Sequence, residues 1–304
     1  AVAVALQSDG KLVAVGYWDV ARYNTDGTLD GSFGTGGIVT RAPPYNDLLA
    51  VVLQADGKIV VAGGEAASNH PYYALVRYNE DGTLDPSFGT GGSVRTDGGW
   101  GNAGSALFNA VAMQPDGKIV TAGVRSGVIG GGTLLVLARY NGDGTLDPSF
   151  GTGGMVTDAV MPGARTVALQ PDGKLVAVGP WGVARYNADG TLDSTFGTGG
   201  VSIGGGVRDP AGATLQPDGK LVVVGGTWLW IQDSSCSHAI SSRAAATAWS
   251  TPERRATMDR RTVRSARVAR WRATADRPAR AAGASTTTSA RTVSATAVER
   301  APRW

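Results

Sequence analysis

Two short motifs alternate along the first three-quarters of the chain, five copies of one and four of the other, and this periodicity constrains the fold more than any other feature. The first motif reads Gln-x-Asp-Gly-Lys-(Leu/Ile)-Val, with its Asp at Asp9, Asp56, Asp116, Asp172 and Asp218, spaced 47, 60, 56 and 46 residues apart. The second reads Arg-Tyr-Asn-x-Asp-Gly-Thr-Leu-Asp, with its turn aspartate at Asp26, Asp81, Asp143 and Asp189. It runs on into Phe-Gly-Thr-Gly-Gly at Phe33, Phe88, Phe150 and Phe196. Repeats of this length are single supersecondary units that bury their apolar faces by stacking on one another.

Each part of the unit has a physical reading. Val167-Ala168-Leu169-Gln170, Pro171-Asp172-Gly173 and Lys174-Leu175-Val176-Ala177-Val178 read as strand, turn and strand. Asp-Gly supplies the positive-φ residue a tight hairpin needs, and β-branched residues flank it. Val183-Ala184-Arg185-Tyr186-Asn187 has strand length and ends at a second Asp-Gly turn. The glycine-rich stretch then leads into a short apolar segment such as Gly37-Ile38-Val39-Thr40. The expectation is four strands in roughly 50 residues, the size of a propeller blade. Phe108 is the one phenylalanine of five outside the motif. A phenylalanine recurring once per unit is expected to fill the same inter-blade pocket, worth ~1.5–3 kcal/mol when buried. The predicted fold is all-β: a β-propeller, incomplete, of about five four-stranded blades over residues 1–231, followed by an irregular tail over 232–304.

These ordered motifs resemble the delta-60 repeat family, known mainly from large bacterial proteins and expected to be propeller-like. The resemblance covers Ala1 to about Trp230 and implies a non-enzymatic, extracytoplasmic module with no catalytic residues to carry over. The reading is therefore a scaffold or a protein- or glycan-binding module of a larger exported protein. The alternative is a propeller hydrolase or lyase with its site at the channel mouth. The chain opens inside a repeat, without a signal peptide in view, and is read as a fragment with unpaired blade edges through which it could associate. No run of about 18 apolar residues is present, so no membrane-spanning helix is expected.

The formal charge of +3 hides a split: net −7 through Ile240 and net +10 from Ser241 onward, where arginine is the only basic residue type. Beyond Ile240 there is no Lys, Tyr, Phe or Asn. A basic, disordered tail is one reading, and its arginines raise nucleic acid as a partner, disfavoured because no aromatic-interleaved pattern accompanies them. A change of reading frame between Gly226 and Ala246 is the other. Joining the last base of each codon to the first two of the next, Trp249-Ser250 yields Val for any TCN codon, and Met258-Asp259 yields Gly. The junctions around them permit Asp-Gly-Val-Val-Asp-Pro, close to Asp143-Gly144-Thr145-Leu146-Asp147-Pro148.

Candidate sites are few. With His70 and His238 as the only histidines, neither a Ser-His-Asp triad nor a histidine metal cluster has material, so no catalytic or metal-binding residue is assigned. Cys236 lies beside the suspected frame junction, as does His238. Asn141, Asp143 and Asp147 are spaced as in oxygen-rich calcium loops but lack the closing glutamate, so calcium is the one cofactor considered and turn formation the favoured explanation. Arg22, Arg77, Arg139 and Arg185 recur at one strand position, where they would bind an anion in a central channel or pair with Asp30, Asp85, Asp147 and Asp193. Trp18, Trp181 and Trp228 follow one strand and would serve as sugar platforms or as blade-edge packing. The links after that strand are short in the first and fourth units. They are long in the second, through Glu65 to Pro71, and in the third, through Arg125 to Gly130. Variable insertions of a stacked array fall on one face, often the binding face.

Overall fold

The computed structural model of the chain describes residues 1–40, 47–68, 71–98, 104–127, 132–204, 209–230 and 239–249, with backbone alone for 65–68, 227–230 and 239–249. His70, Cys236 and His238 and the arginine-rich stretch 250–304 lie outside the described residues.

Each Gln-x-Asp-Gly-Lys segment closes a hairpin in the same way. Gly10 sits at φ 85°, its N–H donates to the Gln7 carbonyl at 3.0 Å, and the Asp9 carboxylate accepts from the Lys11 N–H at 3.1 Å. A turn ended by a left-handed glycine matches the twist of the strands it joins. The first sheet is built outward from such a hairpin, in the order β1 (Ala3–Leu6), β2 (Leu12–Val15), β3 (Asp19–Tyr23) and β4 (Ile38–Thr40), all antiparallel. The plan recurs in β5 (Asp47–Leu53), β6 (Ile59–Ser68), β7 (Tyr72–Tyr78) and β8 (Ser93–Asp97). It recurs again in β9 (Gly104–Met113), β10 (Ile119–Arg125), β11 (Leu134–Tyr140) and β12 (Met155–Asp158). A fourth copy is β13 (Thr166–Leu169), β14 (Leu175–Gly179), β15 (Gly182–Tyr186) and β16 (Val201–Ile203).

Two details depart from a simple string of blades. The second and third units share one eight-stranded sheet, because the long β6 also pairs with β9 through Gly64↔Leu107 and Glu65↔Ala106. A side chain at Gly64 would place its Cβ 2.0 Å from the Ala106 carbonyl oxygen, so glycine is what permits this approach. The fifth sheet has three described strands, β17 (Asp209–Leu215), β18 (Leu221–Trp230) and β19 (Ala239–Trp249). Its third strand comes from within the segment read as irregular tail, and it covers an edge of β18 that would otherwise be open.

The first strands of successive units are neighbours in space, β1 beside β5, β5 beside β9, β9 beside β13 and β13 beside β17, so they line the inside of the array and the fourth strands lie outside. The core consequently lies between blades. Val13, Val15, Val20 and Phe33 of the first blade pack against Leu48, Ile59, Val61, Ala74, Val76 and Tyr78 of the second. Three further clusters repeat this at the next joints. Phe108, the phenylalanine outside the motif, is buried on β9, stacked on Tyr73 at 4.4 Å and edge-on to Tyr140 at 6.2 Å between ring centroids. The chain is thus an all-β propeller array whose apolar energy is stored in its joints.

Candidate functional site

The blades have two ends, and they are built differently. At one end lie both Asp-Gly turns. There the third-strand arginine ends in a dense set of contacts. Arg77 donates from Nε to Asp85 Oδ2 at 2.7 Å, from Nη2 to Ser87 Oγ at 3.1 Å, and from Nη1 to the Gly142 carbonyl of the next blade at 2.5 Å. Its guanidinium lies over the Phe88 ring, 4.5 Å from the centroid. Arg22 reaches Asp30, Ser32 and the Glu80 carbonyl in the same way, and Arg139 reaches Asp147, Ser149 and the Ala188 carbonyl. Beside each clamp the first glycine of Phe-Gly-Thr-Gly-Gly donates its N–H to the aspartate carbonyl of the next turn: Gly34 to Asp81 at 2.8 Å, Gly89 to Asp143 at 2.8 Å, Gly151 to Asp189 at 2.7 Å. Arg185 keeps the pairing to Asp193 at 2.7 Å and the contact to Thr195 at 3.3 Å. The fifth unit has no second Asn-x-Asp-Gly turn in sequence for it to grip.

Each clamped aspartate also takes a lysine from its own first hairpin. Lys11, Lys58, Lys118 and Lys174 lie 2.9, 3.3, 2.8 and 2.7 Å from Asp30, Asp85, Asp147 and Asp193. The Lys118 ammonium and the Ser149 hydroxyl hold Asp147 well below the usual carboxylate range, as Lys174 and Thr195 do for Asp193. The Ser32 hydroxyl and then Lys11 do the same for Asp30. Burial pushes Asp85 upward, but Ser87 and Arg77 outweigh it and leave it low. A buried arginine with an aspartate oxygen, a hydroxyl and a carbonyl to donate to is a satisfied ion, which is the condition under which burial is tolerated. The oxygens weighed as calcium ligands are engaged by protein donors. Asp143 Oδ1 accepts from the Thr145 N–H and hydroxyl at 2.9 and 2.7 Å, and Asp147 Oδ1 accepts from Ser149. Among the described residues no group of three or more His, Cys, Asp or Glu side chains converges to hold a metal.

The four arginines are therefore distributed one to a blade and are not brought together around a channel. Trp18 and Trp181 are placed at the opposite end, on the tips of the second hairpin of their blades, whereas Trp228 lies within β18, its backbone paired with Ser241. Trp18 is 69% exposed and Trp181 60% exposed, whereas the side chain of Trp228 lies outside the described residues. Trp181 is the one non-glycine residue among those described with positive φ, at 77°. It sits in the two-residue link Pro180-Trp181 between the paired Gly179 and Gly182, a position where a tight hairpin calls for glycine. A bulky residue held there is strained by ~1–3 kcal/mol, and strain of this kind gathers at functional sites.

Beside this tip the structure opens a cleft of about 260 Å³ between the third and fourth blades, bordered by Asn109, Val124, Thr133, Gly163, Arg165 and Pro180. A β-bulge aims Asn109 into it: Ala122 pairs with Ala110 and Gly123 with Phe108, so Asn109 is skipped in the ladder. Its amide donates to the Ala164 carbonyl at 2.7 Å. Arg165, about half exposed, supplies positive charge at the rim and lies 3.8 Å from Asp209. Neither Asn109 nor Arg165 stood out in the sequence, and the variable insertions singled out there fall in part outside the described residues. The available signals were an amide inside an otherwise apolar strand, and a cation in the link between blades.

Four stretches, residues 7–33, 54–88, 114–150 and 170–196, match a family model described as a domain of unknown function (DUF5122) beta-propeller. The matched stretches fall one in each of the first four blades, which are similar to the repeats of that β-propeller family, and the fifth sheet lies outside them. Among curated proteins nothing matches. Solved structures similar in fold include a protein of unknown function from Bacteroides caccae, 13% identical over 77% of this chain and 72% of that one, with a TM-score of 0.43. Another is the PQQ-bound aldose sugar dehydrogenase of Streptomyces coelicolor, 15% identical over 80% of each chain, TM-score 0.41. A third is an exo-1,5-alpha-L-arabinanase from a bovine ruminal metagenomic library, 11% identical over 79% of this chain and 95% of that one, TM-score 0.35. The expectation of a non-enzymatic chain is corrected by these neighbours, since enzymes are among them. The reason is physical: the repeat dictates joints, while chemistry is set by loop-end side chains that vary independently of it.

Proposed function

We propose that this propeller is a ligand-binding module of a larger exported bacterial protein, taking a small anionic sugar or sugar-like group in the cleft beside Trp181. The observation that carries the reading is Trp181 itself: a solvent-exposed residue kept in a left-handed conformation, directly after Pro180, which borders a cleft that holds an arginine and an amide. An exposed indole stacks on the apolar face of a pyranose. Arg165 complements a carboxylate with two parallel donors, and Asn109 and Thr133 offer hydrogen bonds to hydroxyls. The volume of about 260 Å³ lies just below the range of ligand pockets, roughly 300 to 1,000 Å³, and suits one sugar ring rather than a longer chain.

The test is calorimetric titration of the full chain with glucuronate, galacturonate and glucose. Binding of the acids in preference to glucose is expected, and Arg165→Ala abolishes that preference while leaving the thermal midpoint unchanged. Equal or absent response to all three sugars overturns the reading.

A further inference from the structure

Asn141 is followed by glycine, the one Asn-Gly in the sequence, whereas its counterparts at the second turn are Asn24-Thr25, Asn79-Glu80 and Asn187-Ala188. The four turns are otherwise built alike. Each asparagine donates its backbone N–H to the carbonyl of the threonine four residues on, at 2.8 Å in every blade. Each side-chain amide donates to the hydroxyl of that threonine, at 3.1, 3.0, 3.0 and 2.9 Å. Each asparagine is half-buried, and the residue after it is exposed. The four sites thus differ chiefly in the side chain that follows the asparagine.

That side chain governs a reaction an asparagine can undergo with its own backbone. The main-chain nitrogen of the next residue attacks Cγ. The N–Cγ bond forms, the Cγ–Nδ2 bond breaks, and the displaced amide takes up the backbone proton and leaves as ammonia. Water then opens the cyclic imide, its hydroxyl going to either carbonyl carbon and its proton to the ring nitrogen. The products are aspartate and isoaspartate, and in the latter the main chain runs through the side-chain methylene. A Cβ on the following residue crowds the attacking nitrogen, and glycine has none. Among the described residues the Gly142 N–H donates to no acceptor, so the nucleophile is unengaged.

The same glycine belongs to the clamp. Arg77 Nη1 donates to its carbonyl at 2.5 Å across the joint between the second and third blades, and the adjoining Asp143 carbonyl accepts from the Gly89 N–H at 2.8 Å. Isoaspartate lengthens the main chain by a methylene directly before that carbonyl. Either acid also sets a second carboxylate on the Thr145 hydroxyl, which already donates to Asp143. We propose that Asn141 is a site of spontaneous modification to aspartate and isoaspartate, and that its conversion loosens the joint between the second and third blades while the neighbouring joints stay intact. The site is independent of the cleft beside Trp181.

The full chain, incubated in neutral buffer and mapped by peptide mass spectrometry with fragmentation that separates the two acids, tests this. Over the interval in which most of Asn141 reacts, Asn24, Asn79 and Asn187 are expected to keep their amides. Gly142→Ala copies the Asn187-Ala188 turn, which folds in this same chain, and is expected to hold Asn141 intact. Ala188→Gly is expected to bring Asn187 to the rate of Asn141. Amide hydrogen exchange reads the joints: Gly89 exchanges faster in the converted chain, while Gly34 and Gly151, which make the equivalent bond at the neighbouring joints, are unchanged. An Asn141 that keeps its amide as long as its counterparts overturns the proposal, as does an Ala188→Gly variant in which Asn187 stays inert. Full conversion with Gly89 exchange unaltered overturns the effect on the joint, because the turn then tolerates the longer chain.

Discussion

The turn end and the loop end of this array obey opposite rules. At the turn end four units repeat the same atoms at nearly the same distances: the arginine-to-aspartate contact is 2.8, 2.7, 2.7 and 2.7 Å in the four blades. At the loop end the units share a first-strand bulge in the second, third and fifth sheets but little else: a tight tip carrying Trp18, a ten-residue β6 that fuses two sheets, Asn109 where the other bulges carry Leu49 and Ala211, and a strained Trp181. Uniformity belongs to the device that stacks blades, because each joint is the same physical problem solved again. Individuality belongs to the end free of that task, and it is there that a ligand is to be sought.

The sharpest way to break the comparison is at the glycines of the second turn. Gly144→Ala puts a methyl 2.7 Å from Val94 Cγ2 and 3.0 Å from the Phe88 ring across a joint, at φ 90°. Overpacking and left-handed strain together cost about 3 kcal/mol. Gly27→Ala carries the strain alone, about 1 kcal/mol, because nothing among the described residues lies within 4 Å of the added methyl. Denaturant titration of the two variants measures the difference, and equal losses contradict the account of the joint.

A second test acts on charge. The four clamped aspartates have folded pKa values below their unfolded value of about 4, so they contribute stability above that pH and lose it as pH falls toward their folded values. Thermal midpoints are expected to be flat from neutral pH down to about 5 and to drop below about 4. In Asp147→Asn that drop is shallower, and the midpoint at neutral pH is already lower because Arg139 and Lys118 lose their shared anion. A parent profile that stays flat through the acid limb removes the clamp from the ledger of stability.

The smallest effect is at the loop end and has the opposite sign. Trp181→Gly relieves the left-handed strain and raises stability by ~1 kcal/mol, while binding in the neighbouring cleft weakens. A residue retained for packing would lose stability on the same change, so the sign of the shift, read by thermal melting, separates the two roles.

Much of the turn end was legible in the residues. Asp-Gly marked both turns, the constant spacing from Arg77 to Asp85 marked the pair, and the recurring Phe marked a joint pocket. The carbonyl partner on the next blade was not legible, because Gly142 and Ala188 are variable residues chosen for their backbone alone. The cleft was hidden for a related reason: Asn109, Arg165 and Trp181 stand far apart in sequence and none belongs to a motif.

Local chemistry thus determined what recurs: turns closed by Asp-Gly, apolar middle strands buried on both faces, and an ion pair formed within one blade eight residues apart. Tertiary structure decided what depends on a neighbour: which carbonyl completes the clamp, how the second and third sheets fuse at Gly64, and where a bulge opens a cleft. The physical reason is that a hairpin closes on its own residues, whereas a joint is a property of two surfaces and exists only where both are present.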